Sequence, residues 1–154
     1  YVTTVANSGT CYDLTLIDQV KDVNGNVILD NHAKVRNKVN IANSTWKAVH
    51  NGMYRVVNGS RSSIGSMFSG MKVKIAGKTG TAQQSKLHAN HAYFVSYAPY
   101  KNPEISVTCV IPNGFTSSNA AQTARDVYKY YFSKNKKKVS GKIKMPESNT
   151  THTD

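Results

Sequence analysis

The 154-residue sequence is poor in cysteine, in acidic residues and in long apolar stretches. Its two cysteines, Cys11 and Cys109, are too few for a disulfide framework. No apolar run approaches the ~20 residues that a membrane-spanning helix needs. These scarcities exclude a disulfide-rich scaffold and a bundle of membrane helices. The length is that of a single domain with one hydrophobic core.

The sequence is instead rich in basic residues, with 20 Lys and Arg against 8 Asp and Glu and a formal net charge of +12. Such a charge suits an anionic partner, which could be nucleic acid, a membrane surface or an anionic wall polymer. Part of it is local, because six lysines crowd near the C-terminus: Lys134, Lys136, Lys137, Lys138, Lys142 and Lys144. A run of this kind is typical of a solvated segment. Residues 133–154 are therefore predicted to be a flexible basic tail.

The first nine residues have the pattern of a helix that is already under way. Val2, Val5 and Ala6 fall on one helical face, and Gly9 is a typical helix stop. The segment has no N-cap residue and no initiator Met. We therefore expect Tyr1 to lie inside a longer protein, of which this chain is a fragment.

The rest of the sequence alternates between helical and strand patterns. Residues 45–57 have helical spacing, with Asn43 or Ser44 as a candidate cap. Residues 72–82, 91–100 and 104–112 read as three strands, and residues 118–132 form an amphipathic helix. Strands joined in succession by short turns must pair antiparallel. The predicted fold class is α+β, with an antiparallel sheet flanked by helices, over a domain of residues 1–132.

The strand "VKIAGKTGTAQ" carries chemistry that a core strand does not need. Gly77 and Gly80 interrupt it, and glycine inside a strand indicates a bulge or the close approach of another backbone. Thr79 and Thr81 share one side of the strand, so their hydroxyls can converge on an anionic group, and Lys78 adds positive charge. The alternative is that Lys78 only protects an exposed strand edge against aggregation.

This strand and its surroundings resemble a known family. Lys78-Thr79-Gly80-Thr81 is similar to the KTG box of the penicillin-binding protein and serine β-lactamase superfamily. The segments "TTVANSG", "STWKAVHNGMYRVVNG" and "HAYFVSYAPYKNPEISVTCVIPNG" resemble the C-terminal part of the class B penicillin-binding proteins. The resemblance runs from Tyr1 to about Phe132 and does not cover the basic tail.

The resemblance implies an activity and roles for the strand residues. The activity is that of a peptidoglycan D,D-transpeptidase, which cross-links stem peptides ending in D-Ala-D-Ala and is trapped by β-lactams. Lys78 would be catalytic, by supporting the proton network around the nucleophile. Thr79, Gly80 and Thr81 would bind substrate, and the backbone N–H of Thr81 would form half of an oxyanion hole.

Two motifs that such an enzyme needs are not found at the expected places in this sequence. No Ser-x-x-Lys is suitably placed to carry the nucleophile, since the one at Ser133 begins just past the last helix, and no Ser-x-Asn stands ahead of the first helix. We expect both motifs upstream of Tyr1, on the same protein or on a separate chain. The same resemblance implies the extracytoplasmic face of the cell membrane, with an N-terminal anchor outside this chain.

A second group of residues has the composition of a zinc site. Cys11 and Asp13 precede one strand, while His88 and His91 follow the KTG strand. Four such ligands suffice for a closed, structural zinc site. The alternatives are a solvent-facing His88, a hydrogen-bonded His91 and a buried Cys11. A disulfide between Cys11 and Cys109 is a further alternative.

Other functions remain open from the sequence alone. Within the superfamily, the alternatives are a serine β-lactamase or a β-lactam sensor domain. A different class is a non-catalytic basic module that binds anionic wall polymer. Nucleic acid is not an expected partner, because stacking of bases requires aromatic residues interleaved with the basic ones. The aromatic cluster here precedes the lysine run: Tyr128, Tyr130, Tyr131 and Phe132.

Overall fold

The structure is a computed structural model that describes residues 1–133. The predicted basic tail lies outside the described residues, apart from Ser133, so its boundary and flexibility remain predictions. The elements in chain order are α1 (Val2–Ala6), β1 (Thr10–Tyr12), β2 (Gln19–Lys21), β3 (Val27–Asp30), β4 (Val35–Lys38), α2 (Asn43–Asn58), a 3-10 helix (Gly65–Phe68), β5 (Ala76–Ala82), β6 (His91–Ala98), β7 (Ile105–Ile111) and α3 (Ser117–Tyr131).

The centre of the fold is a three-stranded antiparallel sheet in the order β5-β6-β7. Successive side chains of a strand point to opposite faces. Phe94 and Ser96 of β6 therefore point to one face, where α3 packs with its buried residues Ala120, Ala121, Ala124 and Tyr128. The predicted α+β arrangement of an antiparallel sheet flanked by helices is confirmed.

The other face of the sheet is covered by α1 and the first half of α2. Tyr97 of β6 is fully buried there and meets the ring of His50 edge-on, with ring centroids 5.8 Å apart. His50 in turn places Nε2 2.7 Å from the carbonyl oxygen of Val5, which ties α2 to α1. The sheet is thus the middle layer between helices on its two faces.

Residues 10–38 form two small antiparallel pairs, β1 with β4 and β2 with β3. The turn at Asn24–Asn26 joins β2 to β3, and Asp22 stabilises it by accepting hydrogen bonds from the backbone N–H groups of Asn24 and Asn26. Leu14 and Leu16 alternate with polar residues as in a strand, but they lie outside the strands and both side chains are exposed.

Two further boundaries differ from the sequence patterns. The strand expected over residues 72–82 begins only at Ala76, because the chain bends at Lys72 and Val73 before it enters the sheet. Asn43 is the first residue of α2, after Ala42 at the N-cap, and no side chain caps the helix there. Among the described residues, no helix is long and apolar enough to cross a membrane.

Candidate active site

The Lys78–Thr81 box lies in the middle of β5, at the edge of the central sheet. β5 pairs with β6 along one side in unbroken register from Ala76↔Tyr97 to Ala82↔His91. Its other side has no partner strand among residues 1–133. Apart from the β5–β6 ladder, residues 76–82 form no backbone–backbone hydrogen bond within the described residues, so an extended peptide could pair with β5 as an additional strand.

The two glycines of the strand are explained by packing within the sheet. A Cβ atom at Gly77 would lie 2.5 Å from Cζ of Phe94, a distance that real Cβ atoms do not show. A Cβ atom at Gly80 would lie 3.3 Å from Cβ of Tyr93. The register is regular, so the bulge suggested by glycine in this strand is absent. Gly77 is required by the ring of Phe94.

These contacts also establish which way the box residues face. Gly77 lies over Phe94 and Gly80 over Tyr93, which belong to opposite faces of the sheet. Because side chains alternate along a strand, Thr79 and Thr81 point to the Phe94 face, so they share one side as predicted. The Cβ of Lys78 points to the opposite face. The Lys78 side chain is exposed, and its Nζ donates a 2.6 Å hydrogen bond to the carbonyl oxygen of Thr79.

A cavity of about 690 Å³ opens beside Thr79. The C-terminal half of α2 and the loop after it contribute the other walls, including Arg55, Arg61, Ser60 and Ser63. No Asp or Glu is among the lining residues. The space beside the box therefore combines two guanidinium groups with hydroxyl groups, which suits an anionic ligand.

The end of α2 determines the shape of this cavity. The N–H of Gly59 bonds to the carbonyl of Arg55 at 2.9 Å, and the chain then leaves the helix in an extended conformation. A Cβ atom at Gly59 would lie 2.5 Å from that same carbonyl oxygen, so only glycine fits. The side-chain amide of Asn58 donates to the carbonyl of Ile75 at 2.8 Å, which fixes the helix end against the entry to β5.

The two arginines are not among the site residues predicted from the sequence. Residues 58–71 are rich in Gly and Ser, and Arg55 lies on the exposed side of a helix. Both arginines line the cavity only because α2 ends beside β5, and the sequence does not supply that placement.

The four residues predicted to bind zinc are not gathered into a site. Within residues 1–133, no group of three or more His, Cys, Asp or Glu side chains could hold a metal ion. Cys11 lies in the β1–β4 pair, and Asp13 and His88 are exposed. The zinc interpretation therefore finds no support in the geometry. The disulfide alternative is not formed either, because Cys11 and Cys109 are both free.

His91 has a structural role at the end of the strand pair. Its Nδ1 accepts a 2.9 Å hydrogen bond from the backbone N–H of Asn113. Its Nε2 lies 2.9 Å from Oε1 of Gln84, just after β5. Both ring nitrogens are thus used, as the hydrogen-bonded alternative for His91 requires, and neither is left for a metal. The imidazole ties the end of β5 to the turn after β7.

Comparison with known proteins identifies the fold to which this strand and cavity belong. Residues 1–129 match the family described as the penicillin-binding protein transpeptidase domain. The chain belongs to this family. The resemblance predicted from the KTG strand and its flanking segments is confirmed.

Individual relatives agree with the family match. The peptidoglycan D,D-transpeptidase MrdA of Haemophilus influenzae is 40% identical over 103 residues, which cover 57% of this chain and 16% of the relative. Penicillin-binding protein 2B of Streptococcus pneumoniae is 34% identical over 143 residues, or 85% of this chain and 21% of the relative. Its solved structure has a TM-score of 0.74, with 31% identity, covering 88% of this chain and 24% of that one. The chain thus spans about a fifth of these relatives.

Proposed function

We propose that this chain is the substrate-cradling part of a peptidoglycan D,D-transpeptidase. The observation that carries the proposal is the Lys78–Thr81 box on an open strand edge, beside a cation-lined cavity, in a domain of the penicillin-binding transpeptidase family. The substrate is a stem peptide ending in D-Ala-D-Ala. It lies along β5 as an added strand, with its terminal carboxylate on the side of Thr79 and Thr81.

The reaction is an acyl transfer in two steps. The hydroxyl of a serine on a segment outside this chain attacks the carbonyl carbon of the penultimate D-Ala and gives up its proton to a base. The peptide bond breaks, D-Ala leaves with a proton on its nitrogen, and an acyl-enzyme ester remains. An amine of a neighbouring stem peptide then attacks the ester, forms the cross-link and returns the serine hydroxyl.

Each residue of the box has a role in this proposal. The Lys78 ammonium lies at the strand edge, at the carbonyl of Thr79, where it can support proton transfer around the serine. Thr79 and Thr81 offer hydroxyl groups to the substrate carboxylate. The N–H of Thr81 supplies half of the oxyanion hole, and the lack of a side chain at Gly80 gives the substrate backbone close access.

The same site accounts for the proposed ligands and location. A β-lactam resembles the D-Ala-D-Ala terminus and acylates the same serine, so these antibiotics are the second class of ligand. Peptidoglycan cross-linking takes place outside the cytoplasm, which places the domain on the extracytoplasmic face of the membrane. The partner that completes the site is the serine-bearing part of the domain, on the same protein or as a separate chain.

The test is labelling by a fluorescent penicillin. The polypeptide that joins this chain to the serine-bearing segment should form a stable covalent adduct, and Lys78→Ala should lower the acylation rate by about two orders of magnitude or more. Lys21→Ala removes an equal charge from an exposed position in β2 and should have no effect. Near-normal labelling of Lys78→Ala contradicts the role of Lys78. Rapid release of the label as hydrolysed penicillin indicates a serine β-lactamase instead.

A further inference from the structure

A second cavity lies at the entry to β5, where α2, the segment before β5 and the turn after β6 meet. It has a volume of about 360 Å³. The rings of Tyr54 and Tyr100, together with Pro99, are part of its apolar lining, and three lysines supply its charge. None of its residues lines the cavity at Thr79 or has a role in the proposed reaction. We call this second cavity the tyrosine–lysine pocket.

The two tyrosine rings contact each other in the wall of this pocket. Their centroids are 4.6 Å apart and their planes are inclined by 41°. The backbone N–H of Tyr100 donates a 2.7 Å hydrogen bond to the carbonyl oxygen of Lys74, which fixes the turn that carries the ring. Both tyrosines are half-buried, so each ring is packed in part and still lines the pocket. The pocket is therefore formed before any ligand enters.

The lysines of the pocket have no ionic partners among the described residues. Lys72, Lys74 and Lys101 are exposed, and within residues 1–133 none of them forms an ion pair or a side-chain hydrogen bond. No Asp or Glu lines the pocket. Three cations around one concave space favour a ligand that carries negative charge. The basic surface extends further, because Lys72 also lines a neighbouring cavity together with Lys129.

We propose that the tyrosine–lysine pocket binds a phosphate-bearing sugar unit of an anionic wall polymer. The sugar packs against the rings of Tyr54 and Tyr100, and its phosphate lies among the three lysines. Binding there attaches the domain to the wall and leaves the strand edge of β5 free. The chemistry of the pocket is independent of the proposed reaction, and only the choice of a wall polymer as the source rests on the proposed location.

The geometry of the rings favours a sugar over a flat base. The face of an aromatic ring is electronegative, and the C–H groups of a sugar carry a complementary partial positive charge. A pyranose chair presents such groups on both of its faces, so it can contact two rings inclined by 41°. A planar base cannot lie parallel to both rings at once. A phosphate suits the lysines, because an ammonium group binds it as a compact point charge.

Two other kinds of partner fit the pocket less well. Peptides are commonly recognised by an open strand edge or as a helix in a groove. The turn after β6 uses its backbone internally, since the N–H of Glu104 donates to the carbonyl of Ala98 at 2.8 Å and that of Tyr100 donates to Lys74. A membrane surface is bound by apolar side chains that insert into it. The tyrosine rings here are instead half-buried around a concave space.

The first experiment is a titration of the 15N-labelled 154-residue chain at constant ionic strength. The ligands are N-acetylglucosamine 1-phosphate, which has ring and charge, N-acetylglucosamine, which has only the ring, and glycerol phosphate, which has only the charge. The sugar phosphate should shift the backbone amide signals of Tyr54, Lys74 and Tyr100. It should bind about tenfold more tightly than either of the other two ligands. Adenosine monophosphate tests the base-stacking alternative and should bind no more tightly than glycerol phosphate.

Substitutions in the pocket separate the contributions of ring and charge. Tyr54→Leu should weaken binding of the sugar phosphate about fivefold and leave glycerol phosphate unchanged. A triple variant of the pocket lysines should weaken binding of the sugar phosphate about tenfold and leave N-acetylglucosamine unchanged. It combines three substitutions: Lys72→Gln, Lys74→Gln and Lys101→Gln.

The matched control removes the same charge from exposed positions outside the pocket and should leave every titration unchanged. It also combines three substitutions: Lys21→Gln, Lys34→Gln and Lys38→Gln. A thermal melt of each variant checks that it is folded. The proposal is overturned if glycerol phosphate binds as tightly as the sugar phosphate, if adenosine monophosphate binds more tightly, or if the pocket and control variants lose affinity equally.

The second experiment identifies the source of the phosphate. The wild-type chain and both triple variants are sedimented with glycosylated poly(ribitol phosphate) and, separately, with vesicles of phosphatidylglycerol. On the polymer, the pocket variant should lose about tenfold in affinity and the control variant much less. On vesicles, the two variants should lose equally, because a charged surface responds to net charge. A loss specific to the pocket variant on vesicles but not on the polymer would assign the pocket to a lipid headgroup and contradict the proposal.

This proposal and the transpeptidase proposal can fail separately. In the polypeptide that includes the serine-bearing segment, penicillin should acylate the pocket variant at the wild-type rate, because none of its substitutions lies in β5 or lines the cavity at Thr79. If the sugar phosphate binds through the pocket but penicillin forms no adduct, the transpeptidase proposal fails and the pocket stands. If penicillin labels the polypeptide but binding of the sugar phosphate is insensitive to Tyr54 and to the three lysines, the pocket fails alone.

Discussion

The phenolic hydroxyl of Tyr128 in α3 donates a 2.8 Å hydrogen bond to the hydroxyl of Ser96 in β6. Both residues are fully buried, and Ser96 passes the interaction on by donating to the carbonyl of Val107 in β7 at 3.3 Å. The neighbouring Tyr97 points to the opposite face of the sheet. Its hydroxyl is also buried, but it has no hydrogen-bond partner among the described residues. Both phenols are therefore buried, but only the hydroxyl of Tyr128 has a hydrogen-bond partner among the described residues.

This contrast predicts opposite effects of the same substitution. Tyr128→Phe leaves Ser96 without its donor and should lower the free energy of unfolding by about 1–2 kcal/mol. Tyr97→Phe removes a hydroxyl that gains nothing from burial and keeps the ring contact with His50, so stability should be unchanged or slightly higher. Urea unfolding of both variants measures the two differences. If Tyr97→Phe lost as much stability as Tyr128→Phe, the Tyr97 hydroxyl would have to make a stabilising interaction, and the prediction would be wrong.

The same two phenols predict how stability changes at alkaline pH. Burial raises the pKa of Tyr97 from its ordinary value of 10.0 to about 12, with a smaller contribution from Tyr100, and burial also raises the pKa of Tyr128. Above pH 10 the unfolded chain loses these protons before the folded chain does, so the unfolded state binds fewer protons. Stability should be fully present below pH 10 and fall between about pH 10 and 12. Tyr97→Phe should show a shallower fall in urea titrations over that range.

The sequence predicted the parts of this molecule that depend on local pattern. The strand patterns of residues 91–100 and 104–112 indicated β6 and β7, and the short turn between them required antiparallel pairing. The position of the Lys78–Thr81 box in a strand followed in the same way. What the sequence could not supply was long-range packing. The requirement for Gly77 depends on a ring seventeen residues away, Phe94, and the cavity at Thr79 depends on where α2 ends.

The zinc interpretation was not supported for the same reason. The four predicted ligands are of suitable residue types and lie near strand ends in the sequence. The fold nevertheless does not bring them together within the described residues: Cys11, Asp13, His88 and His91. Both ring nitrogens of His91 instead form hydrogen bonds, one with the side chain of Gln84 and one with the backbone N–H of Asn113. Suitable ligand types establish a metal site only when the fold makes them converge.

We therefore expect zinc to be neither bound nor needed. Protein purified without a His-tag or added metal should contain less than about a tenth of an equivalent of zinc, because a structural site needs its ligands converged. Its melting temperature should not change with a chelator, since no metal-binding energy contributes to folding. Elemental analysis and a thermal melt with EDTA test this. A full equivalent of zinc, lost together with stability in His88→Ala, would restore the original interpretation.

Gly77 offers a direct test of the packing that shapes the candidate site. Gly77→Ala places a methyl group against the ring of Phe94 and the Cβ of Ser96, at 2.5 and 3.1 Å, so backbone or ring must move. We expect a loss of about 1–3 kcal/mol, the usual range for overpacking. Gly52→Ala is the control, because a Cβ there meets nothing within 4 Å and alanine favours the helix by about 0.5–1 kcal/mol. Equal effects of the two substitutions on urea unfolding would contradict this account of β5.

The last prediction concerns the serines of the chain itself. Ser60 and Ser63 line the cavity at Thr79, which raises the question of whether one of them is a nucleophile. A serine hydroxyl is a weak nucleophile unless a general base accepts its proton, and neither hydroxyl is hydrogen-bonded to such a base among residues 1–133. The 154-residue chain alone should therefore form no covalent adduct with penicillin. Intact-mass spectrometry after incubation with excess penicillin provides the measurement, and the serine-bearing polypeptide is the positive control. A stoichiometric adduct on the chain, abolished by Ser60→Ala or Ser63→Ala, would move the nucleophile into this segment and overturn the proposed arrangement of the site.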